Sequence, residues 1–174
     1  MIITERTILR SWRNEDLDAF SAMTADPEVM ADSGGPISRD ASAQKMVRYR
    51  EAESRLGYGR MVVTSREGEF LGYVGIAQVD AGHPCAGANE IGWRLVRKAW
   101  GFGLATEAAR AALEDGFLRC GLEEVISFTE ATNLRSQAVM RKLELERDPS
   151  RDFETSYDGF SWSGLVWVAR PPSA

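Results

Sequence analysis

A strand, a two-glycine turn and a long helix follow one another in the middle of this chain, and no other feature limits the possible folds as much. Residues 90–96 have a strand pattern, Gly101 and Gly103 come next, and a helical pattern starts near Ala105. The apolar residues of this helix recur every three or four positions; they are Ala105, Ala108, Ala109, Ala112, Leu113 and Phe117. Small residues at its start allow it to approach a sheet closely. The sequence therefore predicts a domain in which helices pack on a sheet.

The remaining segments extend this unit into a mixed α/β domain. Strand patterns occupy residues 7–10, 60–65, 70–79, 125–129 and two stretches within 152–169, where the turn is either Tyr157-Asp158-Gly159 or Ser163-Gly164. Helical patterns occupy about 14–26, 38–56 and 134–145. The 174 residues contain no linker and no repeat. They predict a single domain over residues 1–170 and a flexible tail at 171–174.

Composition and charge exclude several classes of function. The formal net charge of −5 argues against nucleic acid as a partner, because such proteins need a basic face to displace counterions. No apolar stretch is long enough to cross a bilayer, so we expect no membrane partner and a cytoplasmic protein, as a monomer or a homodimer. Cys85 and Cys120 lie far apart, and His83 beside Cys85 is better explained as a loop residue than as a ligand. We expect no metal site.

The glycine turn could hold an anion. Gly101 and Gly103 let the backbone turn tightly and approach a ligand, and the free amides at the start of the following helix point outward. Together with the positive end of the helix dipole, these amides could bind a pyrophosphate without a side-chain cation. A purely structural turn explains two glycines equally well. The chain has neither a Walker-type phosphate loop nor a G-x-G-x-x-G run.

Two runs flanking this turn carry a resemblance to a known family. Glu90-Ile91-Gly92-Trp93-Arg94-Leu95, followed after five residues by Gly101-Phe102-Gly103-Leu104-Ala105-Thr106-Glu107-Ala108, resembles the acetyl-CoA motif of the Gcn5-related N-acetyltransferase (GNAT) superfamily. Trp100 is typical of the RimJ/RimL-type branch. Three further runs also resemble that branch, in the expected order: residues 4–10, residues 26–30 and Asn133-Leu134-Arg135-Ser136.

The resemblance implies a fold and an activity. The fold would be a mainly antiparallel seven-stranded sheet, flanked by about four helices. Its fourth and fifth strands, residues 90–95 and 125–129, would run parallel and splay apart into a V-shaped slot. The activity would be transfer of an acetyl group from acetyl-CoA, as co-substrate, to a primary amine. A protein N-terminal α-amine and a small-molecule amine are both possible acceptors.

The resemblance also implies site residues. Those expected to bind the cofactor are Trp93, Leu95, Trp100, Gly101, Phe102, Gly103, Leu104, Ala105, Thr106, Asn133 and Ser136. The backbone N–H of Leu95, freed by a bulge, would bind the oxyanion, unless Leu95 is an ordinary ladder residue of its strand. Glu90 is the candidate base, acting through ordered water, unless it is a solvated strand-end glutamate. Ser136 would contact the thiol, although Asn133 and Ser136 also suit a helix start. Tyr157 would border the acceptor pocket or serve as an alternative acid, unless it simply packs.

Two departures from the family pattern leave alternatives open. Met140 stands where many members have a tyrosine that protonates the thiolate, so a non-catalytic acyl-CoA-binding module remains an alternative. Glu144 replaces the usual glycine after the last helix, which predicts a different helix exit. Arg97 and Lys98 could meet the cofactor phosphates or form a solvated basic loop. An acidic set could draw a cationic acceptor: Asp26, Glu28, Asp32, Asp152, Glu154 and Asp158.

Overall fold

One sheet organises the part of the chain that the structure describes. The computed structural model covers residues 1–157 and 160–171, without the side chains of Tyr157 and Phe160. The strands are β1 (Ile2–Ile3), β2 (Thr7–Arg10), β3 (Arg60–Ser65), β4 (Phe70–Gln78), β5 (Asn89–Leu95), β6 (Val125–Thr129), β7 (Glu146–Arg147), β8 (Phe153–Tyr157) and β9 (Phe160–Ala169). Their order is β1-β2-β3-β4-β5-β6-β9-β7, and β8 pairs with β9 alone.

Four α-helices flank this sheet in the described residues. They are α1 (Asp16–Thr24), α2 (Arg39–Leu56), α3 (Leu104–Leu118) and α4 (Leu134–Lys142). Helix α3 contributes Ala108, Ala109, Ala112 and Leu113 to the core on one face of the sheet. Helices α1 and α2 cover the other face with Phe20, Met23 and Met46. None of the helices described is long and apolar enough to cross a membrane.

Close packing explains the small residues of α3. A Cβ atom at Gly116 would lie 2.5 Å from Cδ1 of Ile76 on β4, so the helix approaches the sheet too closely for a larger residue there. The alanines at positions 108 and 109 are fully buried. The amphipathic pattern read from the sequence therefore corresponds to a helix seated directly on the central strands.

Strands β5 and β6 diverge in the middle of the sheet, as the V-shaped arrangement requires. Strands β4 and β5 are antiparallel and pair without interruption from Gln78 opposite Asn89 to Gly72 opposite Leu95. Strands β5 and β6 are parallel and pair at one position only, Glu90 opposite Ile126. Beyond that pair the two strands diverge. The predicted mixed sheet with a splay between the strands at 90–95 and 125–129 is confirmed.

The structure differs from the predicted elements in detail. Strands β1 and β7 are additional, and with two residues each they are too short to have a pattern. The final hairpin ends β8 at Tyr157 and begins β9 at Phe160, so Ser163-Gly164 lies inside a strand and is not the turn. Asp158, Gly159 and residues 172–174 of the predicted tail lie outside the described residues.

The exit of helix α4 was predicted wrongly. Glu144 has a φ of 61°, the left-handed conformation that a glycine would adopt more readily. The N–H of Leu145 donates to the Met140 carbonyl at 3.1 Å and completes the turn. The chain therefore makes a left-handed helix exit with a glutamate, and the strain of that conformation falls on one exposed residue.

Candidate active site

A cavity of about 540 Å³ lies where β5 and β6 diverge. Its wall has three parts: the segment that follows α1, the stretch from the end of β5 to the start of α3, and the first turns of α4. The wall includes ten of the predicted site residues, namely Trp93, Leu95, Trp100, Gly101, Gly103, Leu104, Ala105, Thr106, Asn133 and Ser136. The cavity therefore unites most of the residues expected to bind the cofactor.

The glycine turn forms the start of α3 at one end of this wall. Gly101 and Gly103 have φ values of 83° and 77°, which residues with a Cβ adopt at a cost. Helix α3 begins at Leu104, and the first hydrogen bond to the turn joins the N–H of Glu107 to the Gly103 carbonyl at 3.0 Å. The amides of residues 104–106 precede that bond and have no partner within the helix. Amides of this kind, at the positive end of a 15-residue helix, can bind an anion.

Phe102 is the exception within the turn. Its side chain is 65% exposed and is absent from the cavity wall. Its carbonyl accepts a hydrogen bond from Nη1 of Arg6 at 2.9 Å. Phe102 therefore anchors the turn to the segment between β1 and β2 through its main chain.

The main-chain groups of Leu95 face the gap between β5 and β6. The N–H of Val96 donates to the Leu71 carbonyl of β4 at 2.9 Å. Main-chain groups alternate in direction along a strand, so those of Leu95 point away from β4. Accordingly, the Leu95 carbonyl accepts a hydrogen bond from Nε1 of Trp100 at 2.8 Å. The Leu95 N–H thus points into the gap between β5 and β6.

The reason for this free amide differs from the prediction. A bulge in β5 was expected, but the register of β4 against β5 is continuous through Trp93 and Leu95. The register shift in this part of the sheet lies instead between Val63 and Thr64 on β3. The amides of Trp93 and Leu95 therefore lack a strand partner because β6 diverges, not because β5 bulges.

Asn133 and Ser136 begin helix α4 on the opposite side of the cavity. Oδ1 of Asn133 accepts a hydrogen bond from the N–H of Ser136 at 3.0 Å, which is an N-cap. Nδ2 of Asn133 donates to Oδ2 of Asp32 at 2.8 Å. The helix-start explanation of these two residues is correct, and both also lie in the cavity wall.

Glu90 lies at the closed end of the V. Its carboxylate forms an ion pair with the buried guanidinium of Arg60, and only 14% of its side chain is exposed. Burial alone would lower the pKa of Arg60, but the charge of Glu90 and the nearby tyrosines raise it. Gly92 leaves room for this pair, since a Cβ there would lie 2.8 Å from Nη1 of Arg60. Glu90 is therefore not a solvated strand-end residue, and it is not part of the cavity wall.

The described side chains do not position a general acid for the leaving thiolate. Met140 is 1% exposed and belongs to the core beneath α4, so the position usually held by tyrosine is used for packing. Tyr157 ends β8, but its side chain lies outside the described residues. Ser136, which was predicted to contact the thiol, has its hydroxyl-bearing side chain in the cavity wall.

The cations of the cavity wall differ from those the sequence indicated. Arg97 is engaged with Asp26 at 2.9 Å and with Glu28 at 2.6 Å, and Lys98 forms an ion pair with Glu69. These partners make Arg97 and Lys98 part of a paired surface loop, which is the second of the two predicted roles. Neither residue is in the cavity wall.

Arg135 and Lys142 are the cations that sequence reasoning missed. Both line the cavity from α4, and the guanidinium of Arg135 lies 3.9 Å from the centre of the Trp100 ring. This contact crosses the cavity from one side of the V to the other. Their spacing in the sequence could have revealed them, because Arg135 and Lys142 are seven positions apart and such residues lie on one face of a helix.

The predicted acidic set is largely neutralised by arginines. Asp32 pairs with Arg94 at 2.9 Å, and Asp152 pairs with Arg147. The hydrogen bond from Arg147 is the main reason that the pKa of Asp152 is lowered. Asp158 lies outside the described residues. The paired members of this set carry little net charge with which to draw a cationic acceptor.

A buried cluster of cations and tyrosines lies behind Arg94, on the face of the sheet covered by α1 and α2. Tyr73 is opposite Arg94 on β4 and packs against Tyr49, with ring centres 5.4 Å apart. Burial raises the pKa of Tyr73, but the charges of Lys45, Arg94 and Arg60 and the contact with Tyr49 outweigh it and lower that pKa to about 8. The surroundings of Tyr73 are therefore electropositive, and Arg94 is the member of this cluster that lines the cavity.

Within the described residues, no three potential metal ligands come together. The N–H of Cys85 donates to Nδ1 of His83 at 3.0 Å, and the His83 ring stacks on Phe128. The contacts of this histidine are those of a loop residue packed on the sheet.

Comparison with known proteins agrees with this geometry. The family described as "Acetyltransferase (GNAT) domain" matches residues 6–146. The chain is 36% identical over 144 residues to "FsC-acetyl coenzyme A-N(2)-transacetylase" of Aspergillus fumigatus, which covers 79% of this chain and 61% of that protein. The match therefore spans somewhat less than two thirds of that relative.

Solved structures share the fold over nearly the whole chain. An acetyltransferase from Agrobacterium tumefaciens str. C58 superposes with a TM-score of 0.82 at 25% identity, covering 98% of this chain and 94% of the other. RimL, the ribosomal L7/L12 α-N-protein acetyltransferase solved with coenzyme A, superposes with a TM-score of 0.80 at 14% identity, covering 97% and 96%. At that identity the second likeness concerns the fold alone.

Proposed function

The chain belongs to the GNAT acetyltransferase family and is an acetyl-CoA-dependent acyltransferase, and from this premise we propose that it acetylates a primary amine by direct attack in a ternary complex. The observation that carries the proposal is the cavity of about 540 Å³. In its wall the start of α3 and the unpaired edge of β5 face the first turn of α4. This arrangement offers an anion site, main-chain donors and a hydroxyl group around one space.

Acetyl-CoA would be held along this wall. The free amides of residues 104–106 would bind the pyrophosphate, with Gly101 and Gly103 permitting close approach. Arg135 and Lys142 would supply the cationic contacts to the phosphates. The pantetheine arm would run between β5 and β6, beside Trp93, Leu95, Asn133 and Ser136.

The chemical step needs an oxyanion site. The amine nitrogen attacks the thioester carbonyl carbon, a C–N bond forms, and negative charge develops on the carbonyl oxygen. The Leu95 N–H points into the slot and would donate to that oxygen. The C–S bond then breaks, the thiolate leaves, and the nitrogen loses its proton.

Proton transfer would use residues on both sides of the slot. We propose Glu90 as the base that receives the amine proton through ordered water. An α-amino group of pKa about 7.7–8.0 is partly neutral at pH 7, so it needs less help from a base that acts through water than a lysine of pKa about 10.4 does. A thiol of pKa about 8.5 is a fair leaving group. Ser136 would contact the thiolate, and Tyr157 is the second candidate for its proton.

The proposed class of amine acceptor depends on the branch of the family to which the enzyme belongs. We propose a RimJ/RimL-type enzyme, on the strength of Trp100 before the glycine turn and the Asn133-Leu134-Arg135-Ser136 run. Acceptors of that branch are protein N-termini and small amines. RimL itself shares the fold at a TM-score of 0.80. A primary amine that is partly neutral at pH 7 fits the water-relayed base proposed above.

We also propose that the protein is cytoplasmic and that its catalytic domain is a single unit. Cys85 and Cys120 are free thiols, which a reducing cytoplasm maintains. The last strand ends at Ala169 within the same sheet as β2, so we propose one catalytic domain over residues 1–170.

Calorimetric titration of acetyl-CoA tests the anion site. Gly103→Glu places a carboxylate at the start of α3, and we expect it to abolish measurable binding. Gly57→Glu is the matched control, because Gly57 has a φ of 76° but lies outside the cavity wall. Equal binding by wild type and Gly103→Glu would end the assignment. An acceptor screen scored by thiol release then tests catalysis, and acetyl-CoA binding without turnover of any amine would favour a non-catalytic acyl-CoA-binding module.

A further inference from the structure

The segment after α1 wraps around the side chain of Arg94. This guanidinium is 13% exposed and donates to the Val29 carbonyl, to Oγ of Ser33 and, at 2.9 Å, to Oδ1 of Asp32. Burial would lower the pKa of Arg94, but the tyrosine behind it and the Asp32 carboxylate raise it. Asp32 is therefore the carboxylate partner of a nearly buried cation on β5.

The second oxygen of Asp32 reaches the other side of the V. Oδ2 accepts a hydrogen bond from Nδ2 of Asn133 at 2.8 Å. One carboxylate thus connects β5, through Arg94, with the first turn of α4, through Asn133. Both Asp32 and Asn133 line the cavity.

This connection fixes which way the Asn133 amide faces. Its Oδ1 accepts from the Ser136 N–H at 3.0 Å, and its Nδ2 donates to Asp32. An amide oxygen has two lone pairs and an amide nitrogen has two hydrogens, so one of each remains. Exchanging the two ends would place an amide nitrogen against the Ser136 N–H and an amide oxygen against the carboxylate. The pair of bonds therefore orients the free donor and the free acceptor together.

We propose that Asp32 is a positioning residue, which acts through Asn133 to hold the amide in the orientation that binds the pantetheine arm of acetyl-CoA. The inference rests on the proposed function. It gives Asp32 a role in cofactor binding in place of attraction of a cationic acceptor. The carboxylate serves because it has two acceptor oxygens on one rigid plane, one for each side of the V.

A double-mutant cycle on the intact protein, read by calorimetric titration of acetyl-CoA, tests this role. Asp32→Asn leaves one acceptor oxygen, which the charged Arg94 takes, so Asn133 loses its partner. Asn133→Ser keeps a good N-cap but removes the amide. We expect each variant to raise the Kd about tenfold, and the double variant to raise it no further than about tenfold. Coupling of this kind follows only if both residues act through one contact.

Two further variants separate positioning from general loop stability. Ser33→Ala removes a contact to Arg94 from the same segment without touching Asn133, and we expect the Kd to stay within about twofold. Asp32→Glu keeps the negative charge beside Arg94 but moves the second carboxylate oxygen away from Asn133. It provides a second test of the role of Asp32 if the Asp32→Asn protein does not fold. We expect it to raise the Kd about tenfold as well.

The outcomes are distinct. A double variant whose Kd rises about a hundredfold, or Asp32 variants that bind like wild type, would overturn the positioning role while leaving the proposed function intact. Failure of the wild-type protein to bind acetyl-CoA would overturn the proposed function, and this inference with it. Equal loss of affinity in Ser33→Ala and Asp32→Asn would reduce Asp32 to a residue that stabilises its loop.

Discussion

Strand β5 has a closed end and an open end, and the two differ in how their polar groups are satisfied. At the closed end Glu90 pairs with Ile126 through the backbone and with Arg60 through its side chain. At the open end the Leu95 amide faces a cavity and α3 begins nearby. The polar groups of the strand are thus paired within the protein at one end and available for a ligand at the other. The position at which β6 diverges makes this difference, not the composition of β5.

Breaking the closed end should have the largest effect. Arg60→Met removes one partner of a buried ion pair and leaves the Glu90 carboxylate uncompensated, so we expect a loss of about 3–5 kcal/mol in the free energy of unfolding. Chemical denaturation measures it. The double variant Arg60→Met/Glu90→Gln removes the stranded charge and should recover part of the loss. A single variant within about 1 kcal/mol of wild type would show that the pair does not secure this end.

The open end depends on how α3 is held. Glu107, in the first turn of α3, accepts hydrogen bonds from Oγ1 of Thr4 at 2.6 Å and from the N–H of Arg6 at 2.8 Å. Burial raises the pKa of Glu107, but these bonds and the Arg6 side chain outweigh it and lower the pKa. Because Arg6 is about half exposed and screened by solvent, we expect Glu107→Gln to cost only about 1.5 kcal/mol at pH 7.

The pH dependence of this loss of stability follows from the direction of the Glu107 pKa shift. A carboxylate whose pKa is lowered by folding stabilises the protein above its unfolded pKa, about 4.3, and loses this contribution as the pH falls through the folded value. The difference between wild type and Glu107→Gln should therefore persist from pH 7 to about pH 4.3 and shrink below it. Thermal unfolding at a series of pH values measures this. A difference that does not change with pH would contradict the explanation.

A smaller change tests the point where the strands diverge. Ser127 of β6 is 2% exposed, and its Oγ donates to the Ile91 carbonyl of β5 at 2.8 Å, just beyond the single backbone pair. Ser127→Ala should cost about 1 kcal/mol in stability. Ser161→Ala, at an exposed position on β9, is the matched control and should stay within about 0.5 kcal/mol. Equal effects would mean that the Ser127 bond does not hold the strands together.

The smallest effect should be a gain. Glu144 closes α4, on the far side of the open end, with a φ of 61°. Glu144→Gly relieves this conformation and should stabilise the protein by about 0.5–1 kcal/mol, even though glycine is more flexible in the unfolded chain. Glu144→Ala keeps the strain and should give no gain. Denaturation midpoints of the three proteins decide the matter.

The order of helices and strands was predictable because it depends on local patterns. The alternation of residues 60–79 and the three- and four-residue spacing of residues 105–117 each identify an element without tertiary information. Strands β1 and β7 have two residues each and no pattern to detect. The left-handed exit at Glu144 was missed because the surrounding packing, not residue preference, sets that conformation.

The site was predictable where residues are close in sequence and not where they are distant. The glycine turn and the Asn133 cap fell within recognisable runs. The Arg60–Glu90 pair and the Arg94–Asp32–Asn133 connection join residues 30 to 101 positions apart, so no local pattern reveals them. The sequence left two roles open for Arg97 and Lys98, and only the structure shows that acidic neighbours engage both residues.

The contact of Arg135 with Trp100 has a practical consequence for anyone who works with this protein. Of the five tryptophans in the chain, Trp93 and Trp100 line the cavity, and Trp100 has a guanidinium 3.9 Å from its ring. A molecule that enters the slot changes the polarity around these two indoles and leaves the other three in their surroundings. These two tryptophans are therefore an intrinsic fluorescent reporter in the cavity wall. Ligand occupancy of the cavity can be followed by tryptophan emission without a label.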